Sequence, residues 1–176
     1  MQTRKMVTAG FFIALGVIFP ILFHMVNMGG AVFLPMHIPV LLAGFILGGK
    51  YGFIVGLLTP ALSSLLTGMP PLMPILPIMT IELSLYGLVA GILSEKTNIN
   101  NIFSLLAAMI CGRVGGLITV YCMANLLDIV KLQPMIWIKG AITTGLPGMV
   151  IQIIFIPGLL HMLKHAMKRD ISYSFK

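Results

Sequence analysis

Residues 74–94, PILPIMTIELSLYGLVAGILS, contain a single charged side chain, Glu82, in an otherwise apolar or uncharged run. About 20 mostly apolar residues are what an α-helix needs to cross the hydrocarbon core of a bilayer. A charge near the centre of such a helix costs at least ~2.5 kcal/mol when it is exposed to lipid. The stretch therefore predicts a membrane-spanning helix that turns Glu82 toward other helices.

The composition of the whole chain indicates the same environment. Hydrophobic residues make up 59% of the 176 positions, charged residues make up 9%, and the mean hydropathy is +1.07. A soluble domain carries about 25% charged residues. The chain is therefore predicted to be an all-α integral membrane protein, with one membrane-embedded domain over residues 1–176. Its net charge of +7 fits an excess of Lys and Arg in cytoplasmic loops, so the expected partner is the lipid membrane and not a nucleic acid.

Six apolar segments predict six transmembrane helices, at about residues 6–28, 31–48, 51–68, 74–94, 101–127 and 136–163. The second segment differs from the others because Pro35 and Pro39 interrupt it. A helix that begins near Pro39 has about ten residues and covers about 15 Å, half of the hydrocarbon core. The preceding residues 29–37, GGAVFLPMH, are expected to be extended and buried against protein, because bare backbone is not tolerated against lipid.

The basic residues predict the orientation of these helices. Eight fall on the side of the two termini, and two, Lys131 and Lys139, fall on the other side. The eight are Arg4, Lys5, Lys50, Lys96, Lys164, Lys168, Arg169 and Lys176. Because cytoplasmic loops carry the excess of Lys and Arg, both termini are predicted to be cytoplasmic.

Prolines concentrate on the opposite, outer side. Five of the eleven fall within residues 60–77, and Pro35 and Pro39 precede or begin the second helix. Proline fixes one backbone dihedral, stiffens loops and is favoured at helix starts. The outer loops are therefore predicted to be structured, which favours a binding site that opens outward.

Two charged residues, Glu82 and Arg113, fall deep in the membrane at the same predicted height. Each lies about 18 Å from the cytoplasmic edge at 1.5 Å per residue. Both are expected to face the interior of the bundle. One interpretation is a structural ion pair between the fourth and fifth helices, and the other is a substrate cavity lined by one or both residues. The two are compatible if a ligand inserts between the charges.

Other polar side chains gather in the outer halves of the last three segments and beside the first outer loop. The candidate substrate-binding residues are Asn27, His37, Glu82, Tyr86, Arg113, Tyr121, Asn125, Lys139 and Thr143. Singly, such residues are typical of membrane interfaces or of hydrogen bonds to helix backbone, and their clustering is what indicates a cavity. No His/Cys spacing of a metal site occurs, so no metal is expected.

The first segment carries a pattern of small residues. Gly10 and Ala14 are four positions apart within TAGFFIALG, residues 8–16, and Ala9 adjoins them. Small residues at this spacing let another helix approach closely. The pattern predicts either packing within the bundle or an interface with a protein partner formed by Ala9, Gly10 and Ala14.

The chain combines six predicted helices, a small-residue motif on the first helix and a short second helix. In these features it resembles the substrate-binding S components of energy-coupling factor (ECF) vitamin transporters. The block FLPMHIPVLLAGFILGGKYGFIVGLLTPALSSLLTGMPP, residues 33–71, is the most family-typical part. The resemblance covers essentially the whole chain.

The resemblance implies a high-affinity vitamin-binding subunit of an ABC importer in the cell membrane of a prokaryote. Such a subunit binds its vitamin from outside, between the outer halves of helices four to six and under the loop between helices one and two. It delivers the vitamin through a membrane coupling protein with two ABC ATPases, which the helix-one motif contacts. The subunit itself is not an enzyme and needs no cofactor, because ATP is used by the ATPases. Consistent with this, the chain has no G-x-x-x-x-G-K-[ST] motif.

The identity of the ligand is left open by the residues. Arg113 and Lys139 suit a carboxylate, and the chain resembles the pantothenate-type branch of the family, so pantothenate is the first candidate. Glu82 suits a hydroxyl or a cationic ring, as in pyridoxine or thiamin. Cobalamin and riboflavin are further candidates, although few aromatic residues are available for a flat ring. A different class, a small intramembrane enzyme, would need paired carboxylates, a Ser–His pair or a metal cluster, and only Glu82 and Arg113 lie deep.

Overall fold

The protein is a bundle of helices in the computed structural model, which describes residues 2–25, 30–96, 99–128 and 132–173. The helices are α1 (Gln2–Met25), α2 (Gly30–Phe33), α3 (His37–Leu47), α4 (Gly49–Thr67), α5 (Ile75–Lys96), α6 (Asn101–Tyr121) and α7 (Pro134–Tyr173). A π-helical turn, Cys122–Leu126, continues α6. No strand occurs in these ranges, so the prediction of an all-α protein is confirmed.

Five of the described helices, α1, α4, α5, α6 and α7, are long and apolar enough to cross a membrane. The remaining predicted span, the second in sequence, corresponds to α3, an apolar helix of 11 residues that is about 16 Å long. A short second helix is therefore confirmed. The last helix continues to Tyr173, beyond the predicted end at residue 163, so part of the basic tail is helical.

The short helix α3 lies at the centre of the bundle. Every residue from His37 to Gly44 is buried, and α3 packs against α1, α4, α5 and α7. A helix that is apolar on all sides is either enclosed by protein or exposed to lipid, and the burial of α3 shows that protein encloses it. Because α3 is enclosed by other helices, it does not have to span the bilayer by itself.

The connection into α3 corrects one prediction. Residues 29–37 were expected to be extended, but Gly30–Phe33 form a helical turn, followed by Leu34 with a φ of 50°. The turn packs on α7, where a Cβ on Gly148 would lie 2.7 Å from the Val32 carbonyl oxygen. A helical turn satisfies backbone groups locally, which an extended segment at membrane depth cannot do without a neighbouring strand.

A tight turn at Gly48 joins α3 directly to α4. Gly48 has a φ of 93°, and a Cβ there would collide with the Glu95 carboxylate, so both the backbone conformation and the close approach require glycine. Farther along the bundle, Gly52 of α4 and Gly87 of α5 bring the two backbones into direct contact. Small residues allow this approach between membrane helices.

Candidate functional site

A cavity of about 540 Å³ lies at one end of the bundle. This outer end carries the α4–α5 and α6–α7 connections, and the charge distribution predicts that it faces the outside. The volume is within the range of small-molecule sites. The lining residues are mostly apolar and come from α1, the entry to α3, the α4–α5 loop, α5, α6 and α7: Pro20, His24, Leu34, Pro35, Met36, His37, Met69, Pro70, Pro71, Ile75, Ile78, Met79, Glu82, Arg113, Ile136, Trp137, Gly140, Ala141 and Thr144.

One wall of the cavity is the α4–α5 loop, which contributes Met69, Pro70 and Pro71. Hydroxyl groups at the end of α4 hold this loop: Ser63 Oγ donates to the Met69 carbonyl and Ser64 Oγ donates to the Pro70 carbonyl, each at 2.7 Å. The prolines predicted a structured outer loop, and the structure adds two serine hydroxyls that fix it. The wall is thus attached to a membrane helix at two points.

The inner end of the cavity contains an ion pair between α5 and α6. Arg113 Nη1 lies 2.8 Å from Glu82 Oε1, and the two residues are 11% and 3% exposed. The two side chains therefore form a close, buried ion pair between the helices. Both charges are compensated inside the protein, which is what residues at this depth require.

His37 and Tyr86 lie beside this ion pair. His37 Nε2 is 3.7 Å from Glu82 Oε1, and the imidazole meets the Tyr86 ring edge-on with centroids 5.1 Å apart. His37 is the first residue of α3, so the packing of the central helix directs it at the carboxylate. Tyr86 is completely buried and lies behind His37, outside the set of cavity-lining residues.

Several polar atoms in this cluster have no hydrogen-bond partner among the described residues. They are His37 Nδ1 and Nε2, Glu82 Oε1, Tyr86 Oη, and Arg113 Nε and Nη2. Buried polar groups are nearly always hydrogen-bonded, and leaving them unpaired costs free energy. A bound polar ligand group that both donates and accepts would satisfy Arg113 and Glu82 together.

Helix α7 closes the cavity with residues spaced three and four apart: Trp137, Gly140, Ala141 and Thr144. This spacing defines one face of an α-helix. The Trp137 ring lies 2.7 Å from the position of a Cβ on Gly116 of α6, so the absence of a side chain at Gly116 admits the indole. Trp137 is thereby placed as an aromatic wall of the cavity.

The structure brings three of the predicted substrate-binding residues together at the cavity: His37, Glu82 and Arg113. It places Tyr86 directly behind them. These four residues come from α3, α5 and α6, and their association depends on the central position of α3.

Four other predicted residues, Tyr121, Asn125, Lys139 and Thr143, lie outside this cavity. All four are exposed, and the Asn125 and Thr143 side chains bond carbonyls of their own helices. The height of each residue along its helix suits the cavity, but its rotation about the helix axis does not. Asn27 lies outside the described residues.

Other lining residues were not in the predicted set. Met69, Ile78 and Met79 are uncharged and look like ordinary apolar positions in the sequence, so no signal marks them. His24 and Thr144 are polar and lie in the outer halves of α1 and α7, and that position is the signal that could have identified them.

The small-residue face of α1 is only partly available to a partner. Gly10 and Ala14 are exposed, and nothing lies within 4 Å of a Cβ built on Gly10. Ala9 is 6% exposed and belongs to the hydrophobic core. The assignment of Ala9 to a partner interface is therefore wrong for this fold, because its side chain packs inward, away from the surface that Gly10 shares with Phe11.

No group of three or more His, Cys, Asp or Glu residues able to hold a metal ion occurs among the described residues. The charged and titratable groups among the described residues that line the cavity are one carboxylate (Glu82), one guanidinium (Arg113) and two imidazoles (His24 and His37), against apolar and aromatic walls. Such a set can orient a polar head group while the walls hold an apolar body.

Comparison with known proteins identifies the family of the chain but no individual relative. Neither the comparison with curated proteins nor the comparison with solved structures finds a match. The family model described as "ECF transporter, substrate-specific component" matches residues 4–160, which is most of the chain and extends from α1 into α7. This match confirms the resemblance drawn from residues 33–71. The chain belongs to the family of ECF transporter substrate-specific components.

Proposed function

We propose that this chain is the vitamin-binding subunit of an ECF-type importer in the cell membrane of a prokaryote, and that its ligand site is the cavity above Glu82 and Arg113. The observation that carries the proposal is the combination of a 540 Å³ cavity with a buried ion pair at its inner end. Apolar walls supply most of the binding area, and the charged end orients the ligand. The subunit acts by binding and release, without catalysis or a cofactor of its own.

Pantothenate is our first candidate for the ligand. Its carboxylate suits Arg113, which has two nitrogen atoms without hydrogen-bond partners among the described residues, and its hydroxyl and amide groups suit Glu82 and His37. Lys139 does not add to this preference, since it is exposed and lies outside the cavity. Pyridoxine, thiamin, riboflavin and cobalamin are the alternatives within the same function.

Delivery of the vitamin requires partners. We infer a membrane coupling protein that carries two ABC ATPases, and we place its contact on the exposed face of α1 around Gly10 and Ala14. This face has no charged residue between Lys5 and Met25, and small residues at Gly10 and Ala14 permit close helix packing.

The test is to purify the chain, identify any co-purified small molecule by mass spectrometry, and titrate the candidate vitamins by calorimetry. Arg113→Gln should weaken binding of the cognate vitamin by at least about tenfold, which corresponds to about 1.4 kcal/mol. Lys139→Gln, which removes an exposed charge outside the cavity, should leave the affinity within about twofold. Turnover of a lipid, with no vitamin bound, would replace this function with that of a small intramembrane enzyme.

A further inference from the structure

The cavity has no spare positive charge for an anionic ligand. Among its described lining residues, Glu82 and Arg113 are the charged ones, and each already neutralises the other at 2.8 Å. A ligand carboxylate that approached Arg113 would place two negative charges beside one guanidinium. In a site that is buried at membrane depth, such an imbalance is strongly unfavourable.

His37 is the group that can restore the balance. It is 2% exposed, its Nε2 lies 3.7 Å from the same Glu82 oxygen that Arg113 contacts, and neither ring nitrogen has a hydrogen-bond partner among the described residues. A neutral imidazole and an imidazolium both fit this position, because Glu82 can accept from the ring. Histidine is also the side chain whose charge changes most readily near neutral pH.

The titratable and charged groups that face His37 come from three helices. They are Glu82 and Tyr86 of α5 and Arg113 of α6, and His24 of α1 also lines the cavity. The described lining residues of the α4–α5 loop and of α7 include no titratable side chain. In the free site the single negative charge of Glu82 is already paired with Arg113, so a positive charge on His37 would be repelled by Arg113. A bound carboxylate pairs with Arg113 and leaves Glu82 to pair with His37.

We propose that a carboxylate vitamin binds this site together with one proton. This rests on the vitamin-binding function proposed above. The proton comes from the outer solution and bonds to His37, whose charge rises from zero to +1. Glu82 then pairs with the His37 imidazolium, and Arg113 pairs with the ligand carboxylate, so that two positive and two negative charges face one another. His37 is thus the residue that lets a site with a balanced ion pair accept an anion.

Proton uptake has a specific consequence for affinity. Where His37 is neutral in the free protein, the affinity for a carboxylate ligand falls by about tenfold for each unit of rising pH, because one proton is bound with each ligand. An uncharged ligand of the same shape brings no negative charge, so its affinity does not change with pH through His37.

The experiment is a calorimetric titration of the purified full chain with pantothenate and with its alcohol analogue, pantothenol. Each titration is run at one pH in two buffers of different ionisation enthalpy, which counts the protons taken up. We expect about one proton per pantothenate and none per pantothenol. Pantothenate binding by the wild-type chain without proton uptake would overturn the inference, and this measurement needs no variant to fold.

Two histidine variants assign the proton to a residue. His37→Gln retains an amide that can reach Glu82 but cannot bind a proton, so pantothenate binding should weaken at least about tenfold at pH 6 and lose its pH dependence. The matched control is His161→Gln, an exposed histidine of α7 that lies outside the cavity, which should retain the uptake. Proton uptake that persists in His37→Gln would contradict the assignment.

The vitamin panel separates this inference from the proposed function. Binding of pyridoxine, thiamin, riboflavin or cobalamin, with no binding of a carboxylate vitamin, would overturn the proton-coupled site and leave the vitamin-binding function in place. Binding of no vitamin in the panel would overturn both.

Discussion

Arg113 Nη1 of α6 lies 2.8 Å from Glu82 Oε1 of α5, at the inner end of a cavity that both residues line. The ion pair therefore has two roles that the sequence presented as alternatives. It ties two membrane helices together, and it offers unpaired polar atoms to whatever occupies the cavity. The pair is the chemical centre of the candidate site.

The two charges of the pair should be strongly coupled in stability. Glu82→Gln leaves the Arg113 guanidinium buried without its counter-ion and should destabilise the fold by about 3 kcal/mol, as should Arg113→Gln. The double variant removes both charges, so it should cost clearly less than the sum of the single variants. Thermal unfolding in detergent measures all three, and additive losses would show that the pair contributes no mutual stabilisation.

The cavity wall formed by the α4–α5 loop should depend on the serine hydroxyls that hold it. Ser64→Ala removes the 2.7 Å bond to the Pro70 carbonyl, which is worth about 1 kcal/mol. If this bond holds the wall in its binding position, vitamin affinity should fall by about fivefold. Calorimetric titration of the cognate vitamin provides the measurement.

A matched control for the serine variant is Thr143→Val. It removes a hydroxyl that bonds the Lys139 carbonyl within α7 and lies outside the cavity, so the affinity should be unchanged. A loss of affinity in Thr143→Val equal to that in Ser64→Ala would mean that the loop attachment has no special role, and it would return Thr143 to the binding site.

The exposed face of α1 should be needed for delivery but not for binding. Gly10→Trp places a large ring where a Cβ meets nothing within 4 Å, so the isolated subunit should fold and bind its vitamin normally. Close packing of a partner helix against Gly10 would be blocked, and vitamin uptake by cells should be lost. Uptake assays and calorimetry on the same variant separate the two effects.

Gly158→Trp is the control for α1. Gly158 also has open space around a Cβ, but it lies on α7, so uptake should persist if the coupling protein docks on α1. Normal uptake with Gly10→Trp would place the docking surface elsewhere.

Heights along the membrane could be read from the sequence, whereas rotations about helix axes could not. Glu82 and Arg113 were predicted at the same depth, and the structure brings them into contact. On α7, the cavity is lined by Trp137, Gly140, Ala141 and Thr144. Lys139 and Thr143 each come one position before a lining residue, so each is rotated about 100° from that residue around the helix axis. The low contrast between faces in an apolar helix leaves the sequence without a pattern that fixes this rotation.

The central helix α3 likewise combines a feature that the sequence predicts with one that it does not. Pro39 predicted that the second helix is short, and α3 has 11 residues. The helical turn Gly30–Phe33 was not predicted, because it depends on Gly148 and Gln152 of α7, more than 100 residues away. Contacts of such long sequence separation are set by packing and leave no local signal in the residues that they shape.

The most direct test of the account is vitamin titration of a variant whose cavity is filled. Gly140 lines the cavity and has nothing within 4 Å of a Cβ, so Gly140→Trp should insert an indole into the cavity without disturbing the protein around it. Gly158→Trp, on the same helix with the same open surroundings and outside the cavity, is the matched control. The account predicts that Gly140→Trp abolishes binding of the cognate vitamin while Gly158→Trp binds it as the wild-type chain does. Undiminished binding by a folded Gly140→Trp protein would contradict the assignment of this cavity as the ligand site.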